Sequence, residues 1–148
     1  GIVKNGSKMI NAVSNSTVPH ITVILGNSYG AGNYGMSGRA FNTRFTYLWP
    51  TAKIAIMGPK QIAGVMSLVR RGQAARKGLE FDEEADRKTT EQVEYYHEQK
   101  SLALYATGRV TDDGIIDPRD TRDIVAMSLS ACHNNAIEGA EGFGVFRM

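Results

Sequence analysis

Residues 21 to 39 read ITVILGNSYGAGNYGMSGR, a β-branched apolar run that gives way abruptly to a glycine-rich segment. Ile21 to Leu25 is continuous rather than alternating, the pattern of a strand covered on both faces. Glycines immediately beyond a strand permit a tight turn and a close approach of backbone to backbone. The chain is therefore expected to leave this strand directly into a short helix, Ala31 to Gly38, packed against it. That junction belongs to α/β architecture and excludes an all-helical bundle or a plain hairpin sheet.

The same segment contains Gly30-Ala31-Gly32-Asn33-Tyr34-Gly35, which fits the G-x-G-x-x-G pattern of a dinucleotide turn. Such a site needs an acid about 20 residues downstream to hold the ribose. The downstream stretch reads KIAIMGPKQ, and no Asp or Glu precedes Glu80. The nucleotide reading thus lacks its partner, and two others stand beside it. The glycines can simply allow close strand–helix packing, or they can leave backbone N–H groups uncovered at a helix N-terminus. Two such N–H groups aimed at one point form an oxyanion hole, which stabilises developing negative charge without a charged side chain. Ser28 lies outside the Gly-x-Ser-x-Gly register of a hydrolase elbow and reads as a turn residue.

Other elements follow from periodicity and punctuation. Met9, Ile10 and Val13 give a helix over Lys4 to Ser16, ended by Pro19. Phe45 to Trp49 and Lys53 to Met57 read as strands separated by Pro50. Pro59 opens a helix carrying Ile62, Val65, Met66 and Val69 to about Arg71. Residues 80 to 100 form a highly charged helical excursion, with Phe81, Ala85, Val93 and Tyr96 as its dry edge and a solvated face opposite. Asp117 caps the last helix, Pro118 takes its first position, and Ile124, Met127 and Ala131 supply its buried stripe. Met9, Met36, Met57, Met66 and Met127 are expected in the core. Parallel strands with right-handed crossovers follow from the order of elements.

Charge divides sharply along the 148 residues. Residues 1 to 79 carry ten Lys and Arg and no acid, whereas residues 80 to 148 carry seven bases and all fifteen acids. A basic half can meet an anion, but mutual neutralisation of the halves is the nearer expectation. Arg70-Arg71 and Arg76-Lys77 are expected on a solvated helix face, or against a partner protein. No aromatic-interleaved RNA motif or paired Cys/His finger occurs, so no nucleic-acid partner is expected. A lone Cys132 and three scattered histidines, His20, His97 and His133, give no disulfide and no metal-ligand spacing, and the histidines read as structural. Asp112-Asp113-Gly114 reads first as a turn. No apolar run is long enough for a membrane span, and no secretory signal is visible. The opening Gly1 suggests a longer polypeptide, and the closing GFGVFRM suits a natural end.

Four phrases, SYGAGNYGMSGRAF, LWPTAKIAIMG, DDGIIDPRDTR and FGVFRM, in this order, resemble the carboxyltransferase (β) subunit of biotin-dependent acyl-CoA carboxylases, of the 3-methylcrotonyl-CoA and geranyl-CoA type. The resemblance implies a crotonase-like ββα superhelix. It implies that residues 1–148 are the later part of the second carboxyltransferase domain, the biotin-side half, with the acyl-CoA-binding first domain absent. Carboxybiotin, borne on the carrier domain of a partner biotin carboxylase subunit, would lose CO2 there, and the biotin enolate would deprotonate an acyl-CoA that captures the CO2. The positions matching the family's ureido-oxygen contacts are the amides of Ala31 and Gly32, with Tyr29 and Gly30 shaping the approach. Tyr34 stands where propionyl-type relatives have Asp, which leans toward bulkier or unsaturated acyl groups. The phrase beginning MGPKQ departs from the MGGEQAA of methylcrotonyl-type relatives. The resemblance further implies biotin as cofactor and no metal, a homo-oligomer of β subunits, and a bacterial cytoplasmic or mitochondrial matrix location. Alternatives are the carboxyltransferase of a biotin-dependent decarboxylase and a non-catalytic assembly domain.

Overall fold

A computed structural model describes residues 1–139; the closing GFGVFRM lies outside them. The chain begins with α1 (Ile2–Ser14), then β1 (Ile21–Ile24), β2 (Asn27–Tyr29) and the short α2 (Ala31–Gly35). A second pass repeats this order, β3 (Phe45–Leu48), β4 (Lys53–Ala55) and α3 (Pro59–Lys77). Helices α4 (Glu83–Ser101) and α5 (Ala103–Thr107), strand β5 (Gly114–Ile115) and α6 (Thr121–Cys132) complete it. The strands form two sheets, β1-β3-β5 and β2-β4, and every strand pair is parallel, as the order of elements led us to expect.

Each strand pair thus steps from one sheet to the other through a bend, at Gly26 in the first pass and at Pro50-Thr51 in the second. The core sits beneath this step. Ile24, Leu48, Ala52, Ala103 and Ala106 are buried together, with Ile54 and Ile115 packed against them. Three of those five residues are alanines, which let α5 and the β3–β4 bend approach closely. Asp113 fastens the short β5 to its neighbour: its carboxylate accepts from the Thr46 amide at 2.7 Å, and its own amide donates to the Thr46 carbonyl at 2.8 Å. Asp112 accepts from the Gly114 amide at 3.0 Å, so the D-D-G string is the expected turn.

Several expectations of burial fail, and for one reason. The five methionines assigned to the core are all substantially exposed, from 40% at Met57 to 66% at Met36. Val65, Met66 and Val69 on α3 are exposed, and its buried residues are Pro59 and Ala63. On α6 the expected stripe of Ile124, Met127 and Ala131 is replaced by Ser128 and Cys132. There Ser128 Oγ meets the Tyr47 hydroxyl at 2.8 Å, and Thr121 accepts from the Trp49 indole at 3.0 Å. Apolar spacing marks faces that have no partner among the described residues, while the faces that do pack are held by small or polar groups.

The charged excursion is α4, capped by Asp82, and it packs against α3 as an antiparallel hairpin. Ala85 and Tyr96 are exposed; the buried residues are Asp86 and Ser101. Asp86 receives Arg70 at 2.6 Å and the Ser67 hydroxyl, and Arg71 binds Glu83 through both guanidinium nitrogens. The two arginines are therefore bound to α4 rather than freely solvated. With Arg39–Asp113 and Lys53–Glu98, these make four ion pairs joining the basic half to the acidic half. The two other ion pairs among the described residues lie within the acidic half.

The Ser67 hydroxyl, and after it the Arg70 guanidinium, hold the Asp86 carboxyl below its usual 3.8, against the opposing cost of desolvation. A depressed carboxylate stabilises the fold above its unfolded value and loses that contribution as pH falls through the folded value. The wild-type melting temperature is accordingly expected to drop as pH falls below 3.8. Asp86→Asn, which has nothing to protonate there, is expected to show a lower melting temperature at neutral pH and a shallower acid-side fall.

Candidate functional site

The glycine-rich segment is where the two passes of the chain meet. β2 ends at Tyr29, paired with Ala55 on β4, and the Gly30 amide donates to the Ala55 carbonyl at 3.0 Å. Gly30 has φ of 58°, and a Cβ there would lie 3.0 Å from the Ile56 carbonyl oxygen. Glycine is thus required for both reasons: an L side chain is disfavoured in this region, and the neighbouring strand leaves no room. The turn launches α2, whose Met36 amide returns to Gly32 at 3.1 Å and whose Asn33 amide returns to Gly30 at 3.1 Å. Asn33 also donates to Ser28 Oγ at 2.9 Å, tying the first turn of the helix back to β2.

The Ala31 and Gly32 amides are the first two of α2, and among the described residues neither donates to a backbone or side-chain acceptor. Such orphan donors at a helix start carry partial positive charge. Beside them lies a largely apolar cavity of about 900 Å³, walled by Gly30, Ala31, Tyr34, Phe41, Asn42 and Ile56 among others. Tyr34 and Phe41 pack against each other in its wall, 5.6 Å between ring centroids, and Ile56 is 91% exposed. A second cavity, about 830 Å³, follows the α3–α4 hairpin, but the charges in its wall are already paired, Arg71 with Glu83 and Asp86 with Arg70.

Of the positions expected from sequence, Gly30, Ala31 and Tyr34 border the apolar cavity. Gly32 is exposed on the same helical turn without being part of the wall, and a Cβ there would meet nothing within 4 Å. Tyr29 points elsewhere: its ring lies 3.5 Å from where a Cβ on Gly58 would be, at the start of α3. The sequence reading did not include Ile10, Phe41, Asn42 or Ile56 in the site. Ile56 was visible as an apolar residue ending a strand just before Gly58-Pro59, which is a place where a second loop reaches the first.

His20, one of the three histidines read as structural, has partners on both ring nitrogens, Ser16 and Ser37. Cys132 is a buried free thiol. Among the described residues no helix is long and apolar enough to cross a membrane.

A family model, the carboxyl transferase domain, matches residues 1–145. The chain belongs to the carboxyl transferase family. Over all 148 residues it is 54% identical to the probable biotin-dependent acyl-coenzyme A carboxylase beta2 subunit of Mycobacterium tuberculosis, and covers 28% of that protein. It is 49% identical to the probable mitochondrial methylcrotonoyl-CoA carboxylase beta chain of Drosophila melanogaster, covering 25% of it. Among solved structures, the whole chain superposes on 28% of the geranyl-CoA carboxylase beta subunit of P. aeruginosa, with a TM-score of 0.83 and 36% identity. It likewise matches 27% of the transcarboxylase 12S subunit, described as a hexamer, with a TM-score of 0.75 and 32% identity. This carboxyl transferase chain therefore has the crotonase-like fold that the resemblance implied, and it spans about a quarter of the length of its relatives.

Two substitutions separate the conformational demand from the space around the turn. Gly30→Ala is expected to destabilise the fold by about 1–2 kcal/mol or more, from the left-handed backbone and the Ile56 contact together. Gly32→Ala is expected to be neutral or slightly stabilising, since helix propensity favours alanine. Urea denaturation of both variants checks the contrast.

Proposed function

We propose that this chain supplies the biotin-side half of a carboxyltransferase site that moves CO2 from carboxybiotin to an acyl-CoA. The observation that carries the reading is the pair of unpaired amides, Ala31 and Gly32, beside a cavity of apolar walls, at the positions that match the family's ureido contacts. Biotin, borne on the carrier domain of a biotin carboxylase partner, would supply the CO2 when bound, and its ureido oxygen would be the acceptor held by the Ala31 and Gly32 amides.

What the chain's own residues do follows from their geometry. The Ala31 and Gly32 N–H groups donate to that oxygen, and they are already oriented by the turn at Gly30, so no reorganisation is needed as charge develops. Gly32 keeps its amide uncovered, because a branched side chain there would stand between the N–H and an approaching ring. Gly30 sets the direction of the helix, and Tyr29 anchors the strand end that precedes it. Tyr34 and Phe41 exclude water from one side of the cavity, which strengthens hydrogen bonds inside it. Tyr34 also sets the room available to the acyl group and favours a branched or unsaturated one, 3-methylcrotonyl-like in shape. The CoA-binding half of the site comes from outside this chain, and assembly as a homo-oligomer of β subunits brings the two halves together. The relatives include bacterial and mitochondrial proteins, and the proposed location is correspondingly the bacterial cytoplasm or the mitochondrial matrix.

The isolated chain is expected to carboxylate no acyl-CoA. Within a full-length β subunit, given a biotinylated carrier, biotin carboxylase, ATP and labelled bicarbonate, it is expected to support carboxylation, read as acyl-CoA-dependent incorporation of the label. In that setting Gly32→Val is expected to lower kcat by about 10²–10³, the cost of one oxyanion donor. An unchanged kcat, or turnover by the isolated chain, contradicts the proposal.

A further inference from the structure

We propose that His20 is a positioning residue for the α2 amides, acting through a one-directional relay of hydrogen bonds that locks the far end of that helix. The proposal rests on the functional reading above, and it adds a residue that lies outside the cavity wall of the site.

The relay is read from proton counting. Thr43 Oγ1 has one proton and lies 2.6 Å from the Ser37 carbonyl, 3.0 Å from the Gly38 carbonyl and 2.9 Å from Ser37 Oγ. Carbonyls only accept, so the Thr43 proton goes to them and Thr43 Oγ1 accepts from the Ser37 hydroxyl. Ser37 Oγ, its own proton committed, then accepts from His20 Nδ1 at 2.8 Å. Neutral His20 therefore carries its proton on Nδ1, and its bare Nε2 accepts from the Ser16 hydroxyl at 2.9 Å. Every donor in the chain of groups points the same way, from the end of α1 through β1 to the carbonyls beyond α2.

The relay's anchor is a residue in an uncommon conformation. Ser37 has φ of 57°, the left-handed region that a non-glycine residue adopts only when its surroundings hold it there. Ser37 and Thr43 are each only 6% exposed, so an unmade bond here would cost more than it would in solvent. Thr22 adds a second hydroxyl on the Ser37 carbonyl at 2.8 Å. The Ser37 and Gly38 amides close α2 by donating to Tyr34 at 3.1 Å and Asn33 at 2.8 Å. A helix of five residues has no stability of its own. Its orientation, and with it the direction of the Ala31 and Gly32 N–H bonds, is set by what grips its two ends: the Gly30 turn at one and the Ser37 clamp at the other.

The first test uses the unmodified chain: long-range proton–nitrogen NMR correlation of the His20 ring at a pH where the ring is neutral. The Nδ1–H form with bare Nε2 is expected, and the Nε2–H form overturns the relay. The second compares His20→Gln, which cannot place a donor at the Nδ1 position, with His20→Asn, which can. Hydrogen exchange at the Ser37 and Gly38 amides is expected to speed up about tenfold in H20Q and to return toward wild type in H20N. In the full-length subunit, kcat is expected to fall about tenfold in H20Q with KM for acyl-CoA unchanged, and to be rescued in H20N. Wild-type exchange and kcat in H20Q overturn the proposal. The NMR and exchange results stand whether or not the wild type transfers CO2, so a failed relay and a failed functional reading are told apart.

Discussion

The structure turns on the close approach at Gly30. Here β2 ends against β4, the chain reverses into α2, and the Ile56 carbonyl occupies the space a side chain would need. One constraint therefore does three things. It seals the end of the two-stranded sheet through the Gly30–Ala55 bond, it starts α2 with two amides that have no acceptor among the described residues, and it brings Ile56 to the edge of the cavity that Ala31 borders. Moving the two passes apart would relieve the Ile56 contact but not the backbone, whose positive φ would still disfavour a side chain at position 30. The helix start would then be free to rotate away from the cavity.

Around this junction, charge decides how the remaining elements dock. The basic first half and acidic second half meet at Arg39–Asp113, Lys53–Glu98, Arg70–Asp86 and Arg71–Glu83. Pairs that are partly exposed contribute little to stability, typically 0–1 kcal/mol each. Their value here is in register: Asp113 both pairs with Arg39 and completes the β3 edge, and Asp86 fixes where α4 lies along α3. The core itself is small and alanine-rich, so electrostatic selection of partners supplements a modest apolar driving force.

Much of this was legible in the sequence. Ile21 to Ile24, Phe45 to Leu48 and the Pro59 helix start are local signals, and local physics decides them, whereas Asp117 and Pro118 open a single 3-10 turn that leads into α6 at Thr121. The role of Gly30 was also legible, because a glycine between a strand and a helix has a specific conformational reason to be there. Strand β2, Asn27 to Tyr29, was hidden, since its polar residues are paired on one edge only and carry no periodic apolar signal. The burial of Met36, Val65, Met66 and Met127 was misjudged because apolar periodicity reports that a face will be covered, without reporting by what. Those faces have no partner among the described residues of a chain that spans about a quarter of its relatives' length. Ser128, Asp86 and Ser37 show the converse. Buried polar residues are invisible to a hydropathy pattern, yet here they hold α6, α4 and the end of α2.

The central claim is that bare main-chain amides at Ala31 and Gly32, rather than any charged side chain, receive the negative charge of the reaction. A crystal structure of the full-length β subunit with free biotin tests this most directly. The account expects the ureido oxygen within about 2.7–3.1 Å of both nitrogens. A biotin seated elsewhere, or amides bonded to a protein acceptor in the complete subunit, would contradict it.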